Sequence, residues 1–555
     1  MSSGSVDTRR TDDSIKEFHF AREGFDLAAE FETLVGPQGT INVVEICCHR
    51  HADDEGAVAL RYRSAQGEIV EWTYAAFKKE AERLARLLAS LGVTHGDCVA
   101  GLLPRTPELI ITMFATWQLG AIYQPLFTAF GPKAIEYRLQ EANTKVVVTN
   151  AANRAKIGGD LDVLVLTDAP RQGDFDFWAV RDATSSPIAV HQCSLDDPFL
   201  VMFTSGTTGS PKPLLVPIWA IAAFKRYLLD GVGLSRADRY WNIADPGWAY
   251  GLYYAVVGPF ALGVATTFYD GPFTIESTYE TIREFKITSL AGSPTAYRMM
   301  MGAGVDAAHG MRGQLRAVSS AGEPLNPEII RWFAEHLDAS IRDHYGQTEL
   351  GMVICNHHGL SHPVRIGSAG FPSPGYYAAV LSEEKEELGP GIPGMLALNR
   401  PKSQIMWFSG YLGQETSAFV GDWYLTGDTC ELNDDGSISF VGRADDVITT
   451  SGYRVGPFDV ESALLEHVAV LESAVIGKPD PDRTEIIKAF VVLHDGCLGD
   501  SSLAEALQLH VKTRLSAHAF PREIEFIASL PKTPSGKVQR FLLRNQEVAK
   551  MQAGS

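Results

Sequence analysis

The sequence predicts an α/β protein, with a large N-terminal domain of βαβ sublobes plus a β subdomain, followed by a small α+β C-terminal domain. Three observations carry this expectation. Short β-branched runs alternate with helical apolar patterns from residue 74 to 202, a stretch rich in glycine, proline and alternating strands fills roughly 365–442, and from about 445 the pattern becomes a compact mixture of helix and strand. At 555 residues the chain exceeds what one hydrophobic core can organise, and 45% hydrophobic with 21% charged residues is ordinary globular composition.

Taken in order, residues 74–91 carry apolar side chains at helical spacing and stop at Gly92, which reads as an amphipathic helix with a glycine terminator. Gly96-Asp97 turns the chain into the apolar run 98–103, a buried strand. A second helical pattern, 107–119, ends at Gly120. The runs 145–150 and 162–168 are short strands closed by turn residues, and their alternation with helices implies a largely parallel sheet. Past the β subdomain, a helix over 458–466 and strands near 471–477 and 487–494 form the small domain. The junction falls at Arg443–Asp446, dividing the chain into 1–443 and 444–555.

Charge and cysteine usage narrow the function classes. A net charge of −19 disfavours duplex nucleic acid and anionic membrane as partners. No run of 18 apolar residues occurs, so no integral membrane association is expected. Seven cysteines without CxxC or zinc-finger spacing read as reduced thiols, and with no apolar signal segment at the N-terminus the expected location is cytoplasmic.

The strongest local signal is Phe203-Thr-Ser-Gly-Thr-Thr-Gly-Ser-Pro-Lys212 after the apolar strand 199–202. Glycines let backbone N–H groups approach an anion, hydroxyls add donors and the lysine supplies charge. The spacing does not match a Walker A loop. Six further motifs follow: Ala321-Gly-Glu-Pro324, Tyr345-Gly-Gln-Thr-Glu349, Tyr424-Leu-Thr-Gly-Asp428, Gly442-Arg-Ala-Asp-Asp446, Ser451-Gly-Tyr-Arg454 and Pro531-Lys-Thr-Pro-Ser-Gly-Lys537. Together and in this order they resemble the adenylate-forming superfamily: acyl-CoA synthetases, peptide-synthetase adenylation domains and luciferases. The likeness spans nearly the whole chain and is strongest to short- and medium-chain acyl-CoA synthetases.

That resemblance implies ATP, Mg2+ and coenzyme A as cofactors, and a small carboxylic acid that becomes first an acyl-adenylate and then a CoA thioester. It implies that Thr204, Ser205, Gly206, Thr207, Thr208 and Lys212 cradle the β- and γ-phosphates. Thr348 would donate to the α-phosphate and Glu349 would ligate Mg2+, a hard cation that takes carboxylate oxygens. Adenine would lie between Gly322-Glu323-Pro324 and the ring of Tyr345, next to Gln347. Asp428, at a strand-to-turn position, would hold the ribose hydroxyls, with Arg443 on ribose or phosphate. The C-terminal domain would be mobile about Asp445, presenting Lys537 for adenylation and Gly452 to the CoA tunnel, while Arg454 would face the pyrophosphate side. Acylation of Lys537 by an acyltransferase, reversed by a deacylase, would switch adenylation off.

The acyl pocket would draw on Trp248, Ala249, Tyr250, Ala321 and Gly346. In acetyl-CoA synthetases a tryptophan stands where this chain has Gly346, and Ala321 is small too, so the expected acid is larger than acetate: short- to medium-chain, branched or aromatic. The chain departs from the family pattern after Lys212, where Pro213 and the stretch Leu214–Pro217 replace a small residue and a histidine-bearing segment. Two other readings remain open here: adenylation for a separate carrier protein, and a non-catalytic nucleotide binder.

Overall fold

The computed structural model describes residues 8–553 except 160, 180–187, 205–210, 445, 451–452, 481–482, 517 and 533–537, and gives the backbone alone at 8–14, 17, 453–454 and 551–553. It is the mixed α/β architecture expected from the sequence, a large N-terminal part followed by a smaller C-terminal one.

Alternating strand and helix produce two largely parallel sheets among the described residues. The first has seven strands, in the spatial order Phe175–Asp176, Leu164–Thr167, Thr144–Thr149, Cys98–Leu102, Ile122–Pro125, Pro198–Thr204, Lys212–Pro217. All its pairings are parallel except the last, an antiparallel hairpin. Cys98–Leu102 is buried along its whole length, which accounts for its unbroken apolar sequence. The helix Tyr74–Ser90 packs one stripe on the core, burying Tyr74, Phe77, Ala81, Leu84, Ala85 and Leu88. Its N-terminus is capped where the Thr73 side chain accepts from Ala76 N, and it stops before Gly92 at φ 83°.

The second sheet runs Tyr240–Asn242, Ser289–Gly292, Ala317–Ala321 and Ile341–Gln347 in parallel, then turns back antiparallel through Gly351–Cys355 and Phe371–Pro372. The region expected as a β subdomain is an antiparallel sheet in which Trp423–Leu432 lies between Gly394–Asn399 and Ile438–Arg443. A fourth sheet holds Ile448–Thr450, Tyr453–Val455, Val470–Asp480, Thr484–Leu493 and Glu523–Phe526, and encloses its own core of Ile448, Val460, Leu464, Val475, Ile487, Val491, Leu507 and Val511. The two long strands exceed the runs read from the sequence because their hairpin continues past the apolar stretch into polar residues, Lys478–Asp480 against Thr484–Ile486.

Candidate active site

The ends of three sheets converge on one group of side chains. The hairpin of the first sheet sets Thr204 opposite Lys212, the two residues flanking the phosphate loop, while Ser205, Gly206, Thr207 and Thr208 lie outside the described residues. Leu412 N donates to Pro213 O at 2.8 Å and so lays the neighbouring Tyr411 against this hairpin. Lys212 Nζ stands 5.0 Å from the Tyr411 ring centroid, a cation over a π face. The Tyr411 hydroxyl donates to Glu349 Oε1 at 2.6 Å.

Glu349 and Thr348 occupy the turn between Ile341–Gln347 and Gly351–Cys355, and Thr348 O accepts from the Tyr253 hydroxyl at 3.2 Å. Glu349 is buried, and burial pushes its carboxyl above the usual range although the Tyr411 hydrogen bond pulls it back. The phenol and the Glu349 backbone N–H are two donors to a carboxylate with about four acceptor sites, which leaves lone pairs free. This donor set fits a hard divalent cation, which would relieve the desolvation of the carboxylate.

Strand alternation sorts the residues of Ile341–Gln347 between two sides. Tyr345 and Gln347 face the third sheet: the Tyr345 hydroxyl donates to Asp428 Oδ2 at 2.5 Å, and Gln347 Nε2 donates to the same oxygen at 3.0 Å and to Thr426 O at 2.8 Å. The Tyr424 hydroxyl donates to Gln347 Oε1 at 3.1 Å. Burial, with the Asp428 charge next in weight, holds the Tyr345 phenol well above its ordinary range, so it stays a donor.

Asp428 does not stand at the end of a strand, as expected, but inside Trp423–Leu432. Against Gly394–Asn399 the register passes from Ala397↔Leu425 to Met395↔Thr429, so Thr426–Asp428 bulge out opposite Leu396, with Gly427 at φ 77°. The bulge turns the carboxylate toward Tyr345, and Arg443, its register partner across the next strand, brings Nε to 3.7 Å from Asp428 Oδ1. Gly322 follows Ala317–Ala321 at φ 99°, and next to it Glu323 Oε2 accepts from Thr295 Oγ1 at 3.2 Å. Pro324 continues the same loop, and Leu325 N donates to Asp343 at 3.2 Å. Burial raises Asp343 to about 8 against the pull of the Leu325 and His344 N–H groups.

The other side of the strand carries His344 and Gly346, and Ala321 is the register partner of His344. Tyr227 links this side to the acyl candidate Tyr250: its hydroxyl lies 2.8 Å from His344 Nδ1 and 3.3 Å from the Tyr250 hydroxyl. His344 Nε2 lies 3.2 Å from Asn356 O, so that nitrogen carries the proton and Nδ1 accepts from Tyr227. Burial pulls His344 down to about 3, consistent with a neutral ring. Tyr227 has then spent its proton, Tyr250 donates to Tyr227, and the Tyr250 oxygen keeps free acceptor capacity.

Ala249 packs with Tyr250 against the core cluster that holds Tyr227 and Ala321, whereas Trp248 packs against a different one. Trp248 packs between Phe127 and Phe130, each with centroids 5.5 Å away, in the core cluster of the first sheet, and its Nε1 is buried without a partner among the described residues. Ala249 opens the short helix Ala249–Gly251. Gly346 sits in a tight hairpin, where a Cβ would stand 2.1 Å from Gly351 O. Asp445, Gly452 and Lys537 lie outside the described residues, and Arg454 is described only as backbone of Tyr453–Val455. The pair Lys532↔Val538 brackets the segment that carries Lys537. Sequence reasoning missed Tyr411, Tyr227 and His344. His344 adjoins a recognised motif, whereas Tyr411 and Tyr227 carry no local pattern.

Residues 48–412 match the family model of the AMP-binding enzyme, and 459–537 that of the AMP-binding enzyme C-terminal domain. The chain is 38% identical to the acetyl-coenzyme A synthetase of Bacillus subtilis (strain 168), over 97% of this chain and 96% of that one. Its structure is similar to that of a Brucella canis acyl-CoA synthetase, at 54% identity and TM-score 0.78, covering 96% of this chain and 99% of the other. It is also similar to an anthranilate CoA ligase in complex with anthranoyl-AMP, at 27% identity and TM-score 0.83, covering 93% and 98%.

Proposed function

The chain belongs to the AMP-binding enzyme family as an AMP-forming acyl-CoA synthetase working with ATP, Mg2+ and CoA, and on that premise we propose that it activates an acid larger than acetate with the residues assembled above. The observation that carries this reading is the continuity of Tyr345–Glu349: one strand and its turn present Gln347 and Tyr345 to Asp428, Glu349 to Tyr411, and His344 to the acyl side.

In the first half-reaction a carboxylate oxygen bonds to the α-phosphorus of ATP as the bond to pyrophosphate breaks. In the second, the CoA sulfur bonds to the acyl carbon, AMP leaves, and the thiol proton is released. Thr204, Ser205, Gly206, Thr207, Thr208 and Lys212 bind the outgoing phosphates, and Thr348 orients the α-phosphate. Tyr345 and Gly322-Glu323-Pro324 enclose adenine, with Asp428 and Arg443 on the ribose. Glu349 would hold Mg2+, which would neutralise phosphate charge. Lys537 bridges carboxylate and α-phosphate, Arg454 faces the pyrophosphate, and the part from 444 onward turns about Asp445 to bring Gly452 to the pantetheine arm. The separate core of the fourth sheet supports a boundary after 443.

On the acid side, the small Ala321, register partner of His344, leaves room, and Tyr250 lines it with an acceptor oxygen. Each additional buried CH2 contributes about 0.8 kcal/mol, about fourfold in kcat/KM. The seven cysteines are all free thiols and six are buried, which supports a reducing, cytoplasmic setting. Lys537 is proposed as the target of an acyltransferase and a deacylase.

The test follows AMP and acyl-CoA with ATP, Mg2+, CoA and acids from acetate to octanoate, with isobutyrate, benzoate and 2-aminobenzoate. The expected optimum lies beyond acetate, and 2-aminobenzoate should gain over benzoate through the Tyr250 oxygen. An acetate optimum would overturn the size assignment, and AMP release without thioester would move the acceptor from CoA to a carrier protein.

A further inference from the structure

None of the residues that follow belongs to the groups described above. His95 lies in the turn between the helix Tyr74–Ser90 and the strand Cys98–Leu102, while His191 and Cys193 lie on the segment leading to Pro198–Thr204. One ligand atom from each, two imidazole nitrogens and the thiol sulfur, lie within 4.8 Å of one another. The two imidazoles stack with centroids 4.5 Å apart and planes at 22°. His95 Nε2 is also 3.2 Å from Asp197 Oδ2.

We propose that His95, His191 and Cys193 form a three-ligand binding site for a divalent transition-metal ion of the zinc class, with the fourth position taken by water and Asp197 orienting the His95 ring from behind.

Three features make this a built site. The first is spacing: His191 and Cys193, two residues apart, bring their ligand atoms within 4.8 Å of each other and of the His95 nitrogen. The second is anchoring. His191 N donates to Gln118 O and Cys193 N to Ile41 O, both at 2.9 Å. The buried Asn42 amide donates to Trp117 O at 2.8 Å, to His191 O at 2.9 Å and to Cys193 Sγ at 3.8 Å. The His95 turn is held by Gly96 N on Gly120 O at 3.1 Å, and by Asp97, which accepts from Thr94 and from Lys145 Nζ at 2.9 Å. The third is a floor without a side chain. Gly120, at φ 67°, ends the helix Pro107–Gln118, and a Cβ there would stand 2.6 Å from His191 Cδ2 and 2.9 Å from His95 Cδ2.

Two imidazole nitrogens and one sulfur, completed by a water, are a tetrahedral donor set for zinc or cobalt and a poor one for Mg2+, which prefers six oxygens. Bonds of about 2.0–2.3 Å at tetrahedral angles place ligand atoms about 3.3–3.8 Å apart. Side-chain rotation of the two exposed histidines closes the remaining gap, while Cys193 is buried and stays in place. The ion staples the segment around 191–193 to the turn that enters Cys98–Leu102, the central strand of the first sheet, a role separate from the Mg2+ of the reaction.

The experiment uses untagged full-length protein, reduced and freed of metal with a chelator, titrated with Co2+ and then Zn2+. The expected result is one equivalent of Co2+ with a near-ultraviolet thiolate-to-cobalt band that Zn2+ bleaches. Cys193→Ser should lose the band, and Cys497→Ser, at the exposed thiol, should keep it. His191→Ala should retain Mg2+-supported acyl-CoA formation while weakening Co2+ binding at least tenfold, which decides the matter should Cys193→Ser fold poorly. Absence of the band in the parent, its survival in Cys193→Ser, or unchanged Co2+ affinity in His191→Ala would each overturn the site.

Discussion

Glu349 shows how a single hydrogen bond tunes a buried carboxylate. Burial pushes its proton affinity up, and the Tyr411 hydroxyl, the strongest opposing influence, holds it down. Deleting that hydroxyl therefore raises the carboxyl further, and the sign follows directly: ionised Glu349 is lost at a higher pH than in the parent, so the acid limb of the rate profile moves upward. In the Tyr411→Phe variant, kcat/KM should fall most at low pH and recover as pH rises. The lost charge-directed hydrogen bond is worth about 1.5–3 kcal/mol, so the deficit at low pH should be roughly tenfold to a hundredfold. A pH profile of CoA-dependent AMP release is the check, and a uniform loss at every pH would remove Glu349 from the reacting centre. Tyr411 and Glu349 stand 62 positions apart, and nothing in the local sequence around Tyr411 announces the contact. Thr204, Lys212, Tyr345 and Asp428, by contrast, sit in motifs whose residue types suit their chemistry.

At the scale of the element, the hairpin Ile341–Gln347 with Gly351–Cys355 carries the most weight. The sequence reading treated Gly346 as an emptied pocket position. The hairpin makes it more: its register shifts between Tyr345 and Gly346, and a Cβ at 346 would meet the Gly351 carbonyl oxygen at 2.1 Å. A backbone atom cannot step aside as a flexible side chain can. Gly346→Ala should therefore lower Tm and activity with every acid alike, and Gly346→Trp should disrupt the hairpin in place of converting the enzyme to acetate. Ala321→Val is the variant that narrows the pocket, because Ala321 is a packed strand residue beside His344. It should shift kcat/KM toward acetate by roughly fourfold per carbon excluded, read from the acid panel. Equal losses from both substitutions would remove Ala321 from the acyl wall. The regular elements were the legible ones: Tyr74–Ser90 and Pro107–Gln118 fall within a residue or so of the expected spans, since apolar periodicity and glycine stops are local signals. The bulge at Thr426–Asp428 was not, because it depends on the strand paired against it.

For the whole molecule, the proposed mechanism assigns Lys537 to one half-reaction and Gly452 to the other. Lys537→Ala should lower adenylation from ATP and acid by at least a thousandfold, yet convert supplied acyl-AMP and CoA to thioester at near the parent rate. Equal loss of both steps would end the division of labour between the two poses.

Family membership, the α/β class, the order of the elements and most of the nucleotide-binding candidates were readable from residue order, because each depends on neighbours a few positions apart: strand alternation, helical spacing, and Gly/Ser/Thr loops after buried strands. Folding alone brought Tyr411 to Glu349, the Tyr250–Tyr227–His344 relay to Ala321, and His95 to His191 and Cys193. Those contacts join side chains 23 to 117 positions apart, and chain segments so distant meet only through packing of sheets and helices, which leaves no period or motif in the sequence to mark them.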